Sequence, residues 1–577
     1  MHLRRWEEAG YAALASALGA LASLLVLQPW NGSLRVPYAY IGDANFYLSV
    51  LKGILEHGWF WRNPSLGAPG TQQLFDFPNV SGDLLDVFVW KFLGLFTSDP
   101  AVVLNVFFLL TFPAAALTAY LFLRWLSLSR AAAIACAVLF AVLPYHFTRG
   151  EIHLLLAAYY AVPFGAYLVL AVLGERPLFA SRRMVAGTLA MCAVIAFASG
   201  GYYYAAFTIV LVAVACVLRA VALRSWRPLR DGGLVAGTIL VLCLLTLAPS
   251  LVYWAEHGRN HVVANRAPYE SELYGLKFAQ LVLPIEEHRI GALARLRADY
   301  DDNFARTEAA PNTPLGIVAA LGFLWLLLVC LLQLVRPGRR FAGDLAGRAG
   351  VAALLALLFA WSGGLSIFVA AVEPQIRGWN RLSIFIGFFG LIAVGLGLDR
   401  ALAWMRGRWR SGALVGLGVV GLVVVVGVLD QTSRTFEPDY AALSASYRSD
   451  GDFVRGIEAQ VPAGSMVFQL PYRPFPEAPS LGAMADYDLF RGYVHSDDLR
   501  WSYGIVKGRG DDWGAAVSQK PMPELVRDVK AAGFAGIYLD RFGYQDGGTA
   551  IDKELVAATG STALTSADHR LSFYRLR

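Results

Sequence analysis

Charge is scarce in this sequence. Asp, Glu, Lys and Arg make up 16% of its 577 residues, against about a quarter in an ordinary soluble chain. The deficit is uneven: residues up to about 430 form a series of long apolar runs, while 431–577 reads like a soluble domain. Cysteine is scarce too. All five (Cys136, Cys192, Cys216, Cys243, Cys330) fall inside apolar runs and none forms a CxxC pair, so neither a disulfide framework nor a zinc site is supported. There is no phosphate-cradling P-loop, no GxGxxG after a strand, no GxSxG elbow, no repeat of fixed period and no low-complexity tract. The net charge of +6 and pI near 9.0 do not point to nucleic acid, because the arginines sit in short loops between apolar runs, where a membrane accounts for them.

What is present is hydrophobic length. A run of roughly 20 apolar residues matches the hydrocarbon core of a bilayer. Candidate spans lie near 10–28, 101–123, 131–147, 152–173, 185–199, 203–222, 233–254, 314–335, 350–372, 382–404 and 412–429. The fold class is therefore an α-helical integral membrane protein with about eleven transmembrane helices, followed by a C-terminal α/β domain. The basic N-terminus, with Arg4 and Arg5, leads into an apolar run without a small-x-small cleavage site, which predicts an uncleaved first span. The connection Ser199-Gly200-Gly201-Tyr202 leaves the pair around 185–222 open between two spans, one broken helix and two re-entrant ones.

Every second connection is basic: Arg4/Arg5, Arg124/Arg130, Arg176/Arg182/Arg183, Arg219/Arg224/Arg227/Arg230, Arg336/Arg339/Arg340 and Arg400/Arg406/Arg408/Arg410. The positive-inside rule puts that side in the cytoplasm. An odd number of spans then places the C-terminal domain outside the cytoplasmic membrane. Two long outer loops follow, about 28–100 and 256–314, and loops of that length are usually functional. The domain division is 1–430 and 431–577. In the tail, 465–470, 536–540 and 571–575 read as strands and 523–532 as a helix closed by Gly533. Residues 83–90 suit an interfacial helix and 291–300 a short surface helix.

Three polar clusters stand out. Tyr40-Ile41-Gly42-Asp43-Ala44-Asn45 follows the first span. Asp43 reads either as a general base or as a helix N-cap. The short connection around His146, Arg149, Glu151 and His153 is basic where the orientation rule predicts otherwise. It reads either as an anion site, given arginine's fork of donors, or as a structural Arg149–Glu151 pair. The loop Arg377-Gly378-Trp379-Asn380-Arg381 breaks the rule again; its two arginines are spaced to share a helical face, and Trp379 suits a sugar ring or an interfacial anchor. Tyr159-Tyr160, Tyr202–Tyr204, Trp501–Gly504 and Arg509–Trp513 mix aromatic and polar groups, as carbohydrate-contacting loops and packed cores both do.

This layout resembles the GT-C superfamily of polytopic glycosyltransferases: an inside N-terminus, a long first outer loop with an acid just after the first span, and a soluble outer domain after the last. The resemblance implies catalysis by the first-loop acid, Asp43, with Tyr40 and Asn45 beside it. It also implies a polyprenyl-phosphate-linked sugar donor, a glycan or lipid acceptor, and a site on the outer face of a bacterial cytoplasmic membrane. Arg149, Arg377 and Arg381 would then hold the donor phosphate, with His146, Glu151, His153, Trp379 and Asn380 positioning substrate. Many members carry two adjacent acids where this chain has one, so no cofactor is assigned and a divalent metal stays open. Phe75–Pro78, Leu143–Phe147 and Gly378–Ser383 also resemble bacterial membrane proteins of the YfhO type, some labelled sugar translocase or phosphoglycerol transferase, which are the alternative functions. Oligomeric state is not legible in the sequence.

Overall fold

The computed structural model describes residues 2–174, 178–305, 307, 310–335 and 344–576. Arg176, Arg336, Arg339 and Arg340, counted above among the basic connections, lie outside these. Eight helices among the described residues are long and apolar enough to cross a membrane: Trp6–Leu27, Pro100–Trp125, Arg130–Arg149, Leu154–Leu173, Tyr203–Leu223, Arg227–His257, Trp379–Arg408 and Gly412–Gln431. The chain is thus a multi-pass membrane protein in outline.

The other three runs form helices of 16, 19 and 16 residues. The run near 185–199 becomes Arg182–Phe197, and Tyr203–Leu223 starts a separate helix after it. Those near 314–335 and 350–372 become Ile317–Val335 and Leu345–Ala360. The last is cut short at Trp361-Ser362-Gly363-Gly364, where Gly363 has φ of 78° and a Cβ on Gly364 would lie 2.2 Å from the Leu358 carbonyl oxygen.

Two spans are broken inside the bundle. Pro144 interrupts Arg130–Arg149, because it has no N–H to continue the helix ladder. Leu154–Leu173 passes through a 3₁₀ turn at Tyr159–Ala161. Both are largely enclosed by other helices, where irregular backbone at membrane depth is tolerated. Glycine sets one close packing. A Cβ on Gly322 would come 2.1 Å from the Gly390 carbonyl oxygen, so Ile317–Val335 and Ser383–Arg408 meet backbone to backbone. Glu8 pairs with Arg124 and Arg130 at one end of the bundle. Arg149 closes the span that Arg130 opens, so it lies at the other end, with the two long loops.

In the first loop, the helix Asp43–His57 is buried along most of its length. The helix Leu84–Leu93 buries Val87 and Trp90 and exposes Leu85, Phe88 and Phe92, an amphipathic pattern. In the second loop a helix runs from Gly291 to Asn303.

The C-terminal region carries a mixed five-stranded sheet. Its strands lie in the order Arg500–Trp501, Met466–Leu470, Phe534–Asp540, Leu571–Arg575 and Leu564–Thr565; the first three are parallel and the last two antiparallel to their neighbours. The helix Met522–Ala531 leads into Phe534–Asp540, and Leu525 and Val529 pack under the sheet with Ile537 and Leu539. This region also pairs with the first loop: the Trp501 N–H donates to the Ser65 carbonyl and the Ala68 N–H to that of Trp501, at 2.8 and 2.9 Å.

Candidate active site

The helix carrying Asp43 begins after Gly42, whose φ of 56° lies where residues with a Cβ are strained. Gly42 occupies the N-cap position and no side chain caps the helix. Asp43 is the first helical residue, and among the described residues its carboxylate accepts no hydrogen bond. It borders a cavity of about 980 Å³.

Six of the candidate catalytic and substrate-binding residues border this cavity: Asp43, Arg149, His153, Arg377, Asn380 and Arg381. The two basic connections, more than 220 residues apart in sequence, meet where the Arg149 guanidinium donates to Asn380 Oδ1 at 3.3 Å. Arg149 is 6% exposed and lies over the Tyr145 ring at 5.1 Å. The Arg381 guanidinium lies 3.8 Å from the Tyr203 ring centre. Neither arginine has a carboxylate partner among the described residues. Arg377 differs: it pairs with Glu270 at 2.5 Å and stacks over Tyr274 at 4.6 Å. A cation withdrawn from water without a counter-charge is costly. Two such cations facing one cavity suit an anion, and their planar forks match phosphate oxygens.

The opposite wall comes from the C-terminal region: Glu477, Asp486 and Tyr487. Glu477 pairs with Arg266, and Asp486 accepts the Ala478 and Tyr487 N–H groups at 3.1 and 2.9 Å. A third wall is apolar, built by Ile209 of Tyr203–Leu223 and Leu240, Leu244 and Leu247 of Arg227–His257. Leu240 and Leu244 are exposed on a span, so the cavity reaches the surface that hydrocarbon would cover.

Burial, with Asp486 and Glu477 nearby, pushes the Asp43 carboxyl up to about 7; Arg381 and Arg149 pull the other way. Burial likewise lifts Asp486 to about 6. Burial, with Arg149 and Arg381, holds His153 well below the usual imidazole range, so it is neutral. Asp43 thus borders the same cavity as both arginines and is poised to exchange a proton near neutrality.

No family model and no curated protein matches this sequence. Among solved structures, the chain is similar to the archaeal oligosaccharyltransferase AglB from Archaeoglobus fulgidus in complex with an inhibitory peptide and a dolichol-phosphate, at 12% identity and a TM-score of 0.48 over 97% of this chain and 72% of that one. It is also similar to the Archaeoglobus fulgidus oligosaccharyltransferase tethered to an acceptor peptide containing the NVT sequon, at 11% identity and a TM-score of 0.48 over 99% and 74%. The apo form of that enzyme matches at 11% and 0.46 over 97% and 72%.

The remaining residues singled out in the sequence lie elsewhere. The Tyr40 hydroxyl donates to Asp450 at 2.9 Å and Asn45 donates to Asp488 at 3.1 Å, so both face the C-terminal region. His146 is fully buried among helices, stacked on Phe112 at 3.6 Å and bonded to Thr111 and the Ala141 carbonyl. Glu151 accepts the Ala39 N–H at 3.0 Å, anchoring the first loop, and has no ion pair with Arg149. Trp379 packs between Phe207 and Phe359 in the core. Sequence reasoning missed Asp76, Arg259, Arg266, Glu477 and Asp486, which also border the cavity. Tyr202 and Tyr203 border it as well, whereas Tyr204 is buried. Among the described residues, no three His, Cys, Asp or Glu side chains converge as metal ligands would.

Proposed function

We propose that this protein transfers a sugar from a polyprenyl-phosphate-linked donor to a cell-envelope glycan or lipid, on the outer face of a bacterial cytoplasmic membrane. The observation that carries the reading is one cavity that holds, among the described residues, two arginines without carboxylate partners, an unbonded carboxylate and an apolar wall on membrane-spanning helices. That combination suits an amphiphile with a phosphate head and a hydrocarbon tail.

In this reading Arg149 and Arg381 hold the donor phosphate. Asp43 takes the proton from the acceptor hydroxyl as its oxygen attacks the anomeric carbon. The new carbon–oxygen bond forms while the bond to phosphate breaks, and the electron pair leaves with the phosphate. The arginines stabilise that developing charge. Glu477, Asp486 and Tyr487 place the C-terminal region against the acceptor.

The test uses purified protein in detergent with a synthetic polyprenyl-phosphate hexose and a membrane glycolipid extract, read by mass spectrometry. The expected result is a product heavier by one sugar, lost in Asp43→Asn. An EDTA arm reads any need for a divalent metal. A translocator makes no product in detergent, so intact donor, or full turnover by Asp43→Asn, overturns the reading.

A further inference from the structure

His146 and His153 stand close in sequence and end in opposite surroundings. His146 has both ring nitrogens bonded, to the Thr111 hydroxyl and the Ala141 carbonyl, each at 2.8 Å, and it stacks on Phe112. His153 borders the candidate active-site cavity, and among the described residues its ring makes no hydrogen bond, ion pair or ring contact.

The backbone fixes where this ring stands. The His153 N–H bonds back to the Arg149 carbonyl at 2.9 Å, and the His153 carbonyl accepts the Leu156 and Ala157 N–H groups, both at 2.9 Å, where the helix Leu154–Ala157 begins. His153 is thus held one turn beyond Arg149, and Leu155 and Leu156 after it line the same cavity. Glu151 is turned away onto the Ala39 N–H. The charges that reach the imidazole are Arg149 on its own connection and Arg381 from the other basic one; with burial they keep it neutral.

A neutral imidazole carries one N–H that donates and one bare nitrogen that accepts. Polar atoms withdrawn from bulk water are nearly always partnered, so the open side of this ring is where a ligand supplies both partners. In the reading above the donor phosphate lies on Arg149 and Arg381. Ionised phosphate oxygens only accept, so they satisfy the N–H and leave the bare nitrogen unmet. The isoprenoid chain offers no hydrogen bond at all. The sugar does: its anomeric carbon is bonded to the phosphate oxygen, and the next carbon round the ring, carbon 2, carries the hydroxyl or amide N–H closest to the phosphate. Resting on that reading, we infer that His153 selects the donor sugar by accepting a hydrogen bond from carbon 2. Donors that carry a hydroxyl or an acetamido group there are taken, and 2-deoxy sugars are discriminated against.

The test is equilibrium binding to the full chain in nanodiscs, without acceptor, so that affinity alone is read. The probes are citronellyl phosphohexoses, and for the hexose bound tightest its 2-deoxy and 3-deoxy forms. The native chain is expected to bind the 2-deoxy probe about tenfold more weakly, because a nitrogen shielded from water loses its partner, and the 3-deoxy probe like the parent. In His153→Phe, which keeps a ring and loses both nitrogens, the 2-deoxy penalty is expected to vanish; in His153→Gln, which keeps a donor and an acceptor, part of it persists. The penalty is expected to hold between about pH 6 and 8, since a protonated ring would have no acceptor. Equal binding of the parent and 2-deoxy probes by the native chain, a comparison that needs no variant, overturns the assignment and leaves the donor site standing. So does a penalty unchanged in His153→Phe. Failure of the native chain to bind any of the phosphohexoses overturns the transferase reading and this assignment with it.

Discussion

The Asn45 carboxamide donates to Asp488 Oδ1 at 3.1 Å, two residues beyond Asp43 along the same helix. On the other side of Asp43, the Tyr40 carbonyl accepts from Arg491 at 2.6 Å. Arg491 faces Asp488 at 3.3 Å and Asp450 at 3.2 Å, and Arg570 donates to Asp488 at 2.9 Å. The segment carrying Asp43 is therefore clamped at both ends to a buried ionic network of the C-terminal region. Replacing Asp488 with Ala leaves Arg491 paired with Asp450 and Arg570 with Asp540, so what is lost is the set of buried hydrogen bonds that Asp488 accepts, expected to cost about 1–3 kcal/mol. The expected signature is a lower Tm and slower transfer, with donor affinity, which depends on Arg149 and Arg381, changed less.

The position of Asp43 near neutrality predicts a pH profile. Its carboxyl is pushed up to about 7, so kcat/KM is expected to climb tenfold per pH unit below that value and level off above it. Asp486→Asn removes a neighbouring negative charge, lowers the Asp43 value and shifts the climb to lower pH. Arg381→Gln removes a positive charge and shifts it higher. Stability follows the opposite course. Folded Asp43 binds its proton more tightly than the unfolded carboxyl does, so its contribution falls as pH rises from 3.8 to about 7. Asp43→Asn is expected to flatten that slope in a Tm-versus-pH series.

Lysine substitution tests how the arginines act. Among the described residues no carboxylate pairs with Arg149 or Arg381, and each offers a planar fork to a bound anion. Lysine keeps the charge and loses the fork. Arg149→Lys and Arg381→Lys are expected to raise the donor KM about tenfold, the equivalent of ~1.4 kcal/mol each. Unchanged KM in both variants places the donor phosphate elsewhere.

Some of this site is legible in the sequence because it breaks a local rule. Arg149, Arg377 and Arg381 stand where the positive-inside pattern calls for few basic residues, and Asp43 follows a glycine at the end of an apolar run. Tyr40 and Asn45 share that motif yet face away. Asn45 lies two residues along a helix from Asp43, about 200° round its axis at 3.6 residues per turn. His146 and Trp379 sit in polar connections, but ring packing holds them in the core. Glu477 and Asp486 had no sequence signal, since only tertiary packing brings them to Asp43 from the tail. The run near 350–372 gives a helix that ends at Ala360, because hydropathy counts apolar residues and does not register where the chain turns at Gly363-Gly364.

The turn between Phe197 and Tyr203 gives a test that separates folding from binding. Gly200 and Gly201 donate their N–H groups to the Asp83 carboxylate at 2.7 and 2.8 Å. Both hold positive φ, 59° and 64°, where an alanine costs roughly 1–2 kcal/mol. Their surroundings differ. A Cβ on Gly200 would come 2.7 Å from the buried Tyr204 ring, whereas one on Gly201 meets only Asn79 Oδ1, at 3.5 Å. Gly200, Gly201 and Asn79 all border the candidate active-site cavity, but a Cβ on Gly200 would run into the Tyr204 ring while one on Gly201 would face Asn79. Gly200→Ala is therefore expected to lower Tm more than Gly201→Ala, because the clash adds to the backbone strain. Gly201→Ala is expected to fold and to raise the donor KM by placing a methyl group at the cavity wall. If Gly201→Ala binds donor like the native chain while Gly200→Ala alone loses stability, this turn serves the fold and the donor lies away from it.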